Sequence, residues 1–143
     1  MNYLLDTCVI SELVARRPNA AVVDWLDSQD DHRLYLSAIT IGEIQRGVSR
    51  LPNSQRKSEL ETWLRNELLV RFAERTAELH TPVMLRWGEL VAALEDKGRP
   101  LPALDSLIAA LALHYDFHLV TRNERDFEGT GVTIVNPWNL TPS

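Results

Sequence analysis

The stretch Asn2-Tyr3-Leu4-Leu5-Asp6-Thr7-Cys8-Val9-Ile10 sets a short apolar run directly against a carboxylate, and the rest of the chain repeats that arrangement. Leu34-Tyr35-Leu36-Ser37 runs into a helical pattern carrying Glu43. His118-Leu119-Val120-Thr121 runs into a polar loop carrying Asp126. Asp105 opens the very apolar Ser106-Leu107-Ile108-Ala109-Ala110-Leu111-Ala112. Apolar strands separated by helical patterns read as a parallel sheet covered on both faces. The expected fold is therefore α/β, a three-layer α/β/α sandwich with a central, mainly parallel sheet. One domain is expected to span residues 1–143.

Breakers divide the chain: Pro18-Asn19, Pro52-Asn53-Ser54, Gly98-Arg99-Pro100 and Gly129-Thr130-Gly131. Between them the pattern predicts strands at 2–5, 34–36, near 70–72, 118–121 and 132–135. Helices are predicted at about 8–16, 20–28, 38–50, 54–69, 77–97 and 103–115. Pro102 suits a first helical turn, so the helix bearing Asp105 is expected to begin there. Trp25, Trp63 and Trp87 fall in helical patterns and read as core, whereas Trp138 reads as a pin for the C-terminal tail.

A chain of 143 residues with 45% hydrophobic and 24% charged residues can bury one sizeable core. The longest apolar run, Leu107–Leu113, is far short of the ~20 residues that span a bilayer, so no membrane association is expected. The lone Cys8 excludes an internal disulfide and a multi-cysteine zinc site, and with no leader pattern the expected address is the cytoplasm. A net charge of −5 argues against a simple electrostatic nucleic-acid binder. The charge is unevenly spread. Residues 44–71 carry six basic against three acidic groups, and residues 1–43 carry three basic against seven acidic groups.

Each acid has a bland reading. Asp6 can cap the helix that follows it. Thr40-Ile41-Gly42-Glu43 matches a capping box, yet Ser37 is an equally good cap and would leave Glu43 free in the second turn. Asp105 can favour a helix dipole, and Asp126 can be a loop acid. Acids gathered from distant segments onto one sheet edge repel unless a cation joins them. An all-oxygen set suits Mg²⁺ or Mn²⁺ rather than zinc. Arg46 and Arg50, on the stripe that carries Glu43, are candidate contacts to substrate phosphates. The four histidines show no metal-ligand pairing, and no Gly-rich phosphate loop or G-x-S-x-G is present.

The same residues resemble the PIN domain family. Leu4-Leu5-Asp6-Thr7-Cys8-Val9-Ile10-Ser11-Glu12 looks like its LLDTNVISE opening. Ser37 to Gly47 resembles its S-x-x-[TV]-x-x-E-[LI]-x-x-G, Asp105 to Ala110 its D-x-x-I-A-A, and Thr121 to Phe127 its TRN-x-x-DF. Asn136-Pro137-Trp138 also occurs in the VapC-type and FitB-like toxin branch. The likeness spans essentially the whole chain, in order. It departs at Cys8, where the family usually has Asn, and at the fourth acid, which some relatives place at the position of Asn123.

The resemblance implies a Mg²⁺- or Mn²⁺-dependent endoribonuclease, the toxin of a bacterial toxin–antitoxin pair. It implies a homodimer and a cognate antitoxin that lays a basic side chain into the acidic pocket. Carried over residue by residue, Asp6 and Asp105 are the principal catalytic metal ligands, with Glu43 and Asp126 completing the pocket. Thr7 and Thr121 orient carboxylates, and Asn123 gives polar support. Two rivals stand beside this reading. A structure-specific DNA nuclease is disfavoured by the compact length, and a non-catalytic PIN-like binding module by the presence of all four acids.

Overall fold

The computed structural model describes residues 1–140. Its centre is a five-stranded, wholly parallel sheet. The strands are β1 (Tyr3–Leu5), β2 (Leu34–Ser37), β3 (Thr76–Ala77), β4 (His118–Val120) and β5 (Ile134–Val135). Their spatial order is β3-β2-β1-β4-β5. Helices α1 (Thr7–Glu12), α2 (Ala20–Ser28), α3 (Ala38–Ser49), α4 (Gln55–Trp63), α5 (Leu69–Arg71), α6 (Thr81–Asp96) and α7 (Ala103–Tyr115) make the connections.

Strand alternation explains the three layers. Successive side chains point to opposite faces, so adjacent apolar residues need two separate cores. Leu5 packs with Val9, Ile10, Val22, Ile44, Val48, Leu64 and Leu68 on one face. Leu4 packs with Val83, Ile108, Ala109 and Leu111 on the other. Both leucines are essentially inaccessible to solvent. Cutting either to Ala would cost about 2–5 kcal/mol. The three-layer expectation holds, including its parallel sheet.

Four boundaries differ from expectation, each for a physical reason. No strand forms at 70–72. The helix runs on through Arg71, and the edge strand is Thr76–Ala77, paired with Leu36 and Ser37. The apolar signal at 70–72 came from Phe72, which is fully buried as a core anchor while Val70 is exposed. Because Ala77 belongs to the sheet, α6 starts at Thr81 instead of 77, with Pro82 in its first turn. The first helix stops at Glu12 and continues only as turns. The predicted helix 54–69 contains a π-helical stretch, Leu64–Leu68, whose wider winding puts Leu64 and Leu68 both into the core.

Connections through β1, β2 and β3 travel one way across the sheet, and β4 starts again on the other side of β1. Order therefore reverses between β1 and β4, which opens a crevice beyond their C-terminal ends. Asp6 is the first residue past β1 and Thr121 the first past β4.

Candidate active site

Asp6 sits in that crevice, buried, with its amide donating to the Val120 carbonyl at 3.0 Å. One carboxylate oxygen accepts from the Thr7 amide at 2.9 Å and the other from the Thr121 hydroxyl at 2.8 Å. The residue caps α1, so the bland reading is correct as far as it goes. A cap has no need of burial, and burial disfavours the charge. Desolvation pushes the Asp6 carboxyl above its ordinary range against the lowering effect of these two bonds, and Glu43 and Asp126 push in the same direction.

Glu43 reaches the same mouth from α3. Ser37 is the cap of that helix, accepting from the Thr40 amide at 2.9 Å, so no capping box forms and Glu43 is free. Its carboxylate accepts from the Thr7 hydroxyl at 2.6 Å. Behind Thr7, the hydroxyls of Thr40 and Ser37 follow at 3.3 and 3.1 Å. Sequence reading missed this hydroxyl chain. The T-x-x-E spacing held the clue, since residues three apart share a helix face and Thr40 and Glu43 both meet Thr7.

Asp105 lies in the first turn of α7, beneath which Ser106, Ile108 and Ala109 are buried. Burial raises its carboxyl first, then the charges of Asp6, Asp126 and Glu43. Asp126 comes from a 3₁₀ turn, Glu124–Phe127, and is exposed. That turn is clamped by the C-terminal tail. Asn136 and Asn139 donate to the Glu124 carboxylate at 2.9 and 3.3 Å, and the Arg122 guanidinium lies 4.5 Å over the Trp138 ring. Trp138 itself packs against the core, which accounts for its pinning role. The main-chain N–H of Asn123 donates to the Thr121 hydroxyl at 3.1 Å.

Asp105 thus feels the charges of Asp6, Asp126 and Glu43, and Asp6 those of Glu43 and Asp126. Among the described residues no three stand in a ready-made metal cage, and both ion pairs fall on Asp31, which precedes β2 and so lies at the opposite edge of the parallel sheet. Among the described residues none of the four acids is in an ion pair. An oxygen-only donor set with one buried and one partly buried carboxyl, both raised by desolvation, fits a hard divalent cation. Arg46, on α3, and Arg50, its C-terminal cap, are exposed. Neither lines the apolar cavity of about 270 Å³ that Thr7 and Glu43 share with Ser11, Gly47, Leu60 and Trp63.

No helix of the described chain is long and apolar enough to cross a membrane. The family model "PIN domain" matches residues 3–132. A relative described as "VapC ribonuclease Y4jK", from Sinorhizobium fredii, is 36% identical over 135 residues, covering 94% of this chain and 96% of the relative. "Toxin FitB" from Neisseria gonorrhoeae is 37% identical over 136 residues, covering 95% and 98%. Among solved structures, FitAB bound to the IR36 DNA fragment superposes with a TM-score of 0.92 at 36% identity, over 97% of each chain. With the crevice, the acids and these likenesses agreeing over nearly its whole length, the chain belongs to the PIN domain family.

Proposed function

We propose that this chain is a divalent-metal-dependent endoribonuclease and the toxin of a toxin–antitoxin pair. The observation that carries the reading is that Asp6, just past β1 at the sheet's switch point, and Asp105 are both raised by burial and by the charges of neighbouring acids, Glu43 and Asp126 among them, with none of the four in an ion pair among the described residues. It is supported by the ribonuclease and toxin descriptions of its relatives. Asp6 and Asp105 would hold Mg²⁺ or Mn²⁺ with Glu43, and Asp126 would close the pocket. Such a cation supplies Lewis acidity at the scissile phosphate and lowers the pKa of the attacking water.

The chain's own residues supply orientation. Thr121 and the Thr7 amide fix both Asp6 oxygens, so that carboxylate cannot rotate without losing a bond. The Thr7 hydroxyl holds Glu43 from a neighbouring helix. An acidic mouth of this kind also suits a basic side chain, so a cognate antitoxin presenting Arg or Lys is the expected partner, with a homodimer as the expected assembly. The decisive experiment is incubation with RNA and with DNA, each with and without Mg²⁺. Cleavage of RNA alone, only with metal, supports the reading. DNA cleavage returns the DNA-nuclease rival, and no cleavage of either returns the binding module.

A further inference from the structure

Beyond the acids, a cleft of about 320 Å³ opens between the loop before α7 and the turn that carries Asp126. It is lined by Arg99, Pro100, Leu101, Pro102, Arg125, Asp126 and Glu128. We propose that Arg99 and Arg125 form a phosphate-binding track for RNA, guiding the strand past Asp126 into the acidic centre. This rests on the ribonuclease reading above.

The two arginines come from two separate segments that line one cleft together with Asp126. Both are exposed, and neither makes an ion pair or side-chain hydrogen bond among the described residues, even though Glu128 shares the wall. Five other arginines are engaged: Arg56 bonds the Val14 carbonyl, Arg65 bonds Gln45, Arg71 and Arg75 bond Asp31, and Arg122 stacks on Trp138. Arg16, Arg17, Arg33, Arg46, Arg50 and Arg86 are as unengaged among the described residues, but none of them lines this cleft beside Asp126. Arg99 also packs on one side. Its side chain lies across Gly129, whose φ of +81° and missing Cβ leave the guanidinium 3.4 Å from where a Cβ would stand. Pro100 and Pro102 stiffen the loop on which it rides. Two exposed forks with open donors match the paired oxygens of phosphate. Their location also resolves the charge problem: an acidic protein can guide RNA through two cations placed beside its reactive centre.

The test measures binding of a labelled, mixed-sequence single-stranded RNA 12-mer by anisotropy across a NaCl series. The Asp6→Asn chain serves as parent so that the probe stays whole. Arg99→Gln with Arg125→Gln should weaken binding roughly tenfold or more. It should also flatten the salt slope by about 1.4, about 0.7 for each phosphate left without its arginine. Lys at both positions should restore most of the slope. In the Asp6 chain the Gln pair should raise KM for total RNA and leave kcat close to the parent. A Gln pair with parental melting, affinity and slope overturns the proposal, as does a slope that Gln lowers and Lys fails to restore. Intact RNA after incubation of the Asp6 chain with Mg²⁺ or Mn²⁺ would instead remove the nuclease reading, and the binding series would still judge the track by itself.

Discussion

The Thr121 hydroxyl donates to Oδ2 of Asp6 across 2.8 Å, joining the residue just past β4 to the residue just past β1. The same hydroxyl accepts from the Asn123 amide, so one oxygen sets both a carboxylate and the start of the loop leading to Asp126. Thr121→Val preserves shape and deletes that oxygen. Leaving a buried carboxylate oxygen and an amide short of a partner should destabilise the fold by roughly 1–3 kcal/mol. The bond lowers the Asp6 pKa, so its loss should also move the acid limb of the cleavage profile to higher pH. Thermal melting and a pH–rate series check both effects. A lower midpoint with an unmoved acid limb would limit Thr121 to a structural role.

Cleavage should stop in EDTA and return with Mg²⁺ or Mn²⁺. Ca²⁺ should not restore it, because its larger and looser coordination shell positions water poorly. Full activity in EDTA would remove the metal from the reading.

The tail clamp predicts a separate phenotype. Glu124→Ala removes the acceptor shared by Asn136 and Asn139 on an exposed turn, so the global melting midpoint should change little. The turn that carries Asp126 loses its tie to the tail, and cleavage should fall through kcat. Glu124→Gln keeps one carbonyl acceptor and should recover part of the activity. Parental kcat in the Ala variant would show that Arg122 over Trp138 holds the turn alone.

Much of this was legible before folding because the candidate acids lie at or within two turns of element ends marked by local chemistry. Asp6 ends an apolar run, Ser37 offers a cap three residues before Thr40, and Pro102 starts a helix. What stayed hidden depends on contacts distant in sequence. The Thr121–Asp6 bond needs the β1–β4 register, 115 residues apart. The hydroxyl chain to Glu43 needs α1 laid against α3. The edge strand at Thr76–Ala77 is two residues long and has no periodicity to read, whereas the apolar signal nearby belonged to buried Phe72. Arg46 and Arg50 stand out in the sequence only through charge density along the chain. The cleft beside Asp126 draws its arginines from two loops that only the fold brings together.

Stability without metal separates site from scaffold for Asp6 and Asp105. Burial is the largest cause raising each carboxyl, and the neighbouring acids add to it. A carboxyl whose folded pKa lies above its unfolded value of about 3.9 destabilises the native state. The penalty is absent below the unfolded value, grows as pH rises through the window up to the folded value, and stays in full above it. Asp6→Asn and Asp105→Asn remove it. Asn at position 6 also keeps a carbonyl oxygen for the Thr7 amide. In EDTA at neutral pH both variants should melt at or above the parent, and the difference should shrink as pH falls toward about 4. Mg²⁺ should raise the parent's midpoint more than theirs, since binding to the native state alone stabilises it. Neither variant should cleave RNA. If the two acids were only a helix cap and a dipole partner, each variant would instead melt lower in EDTA, by up to roughly 2 kcal/mol, and would retain cleavage.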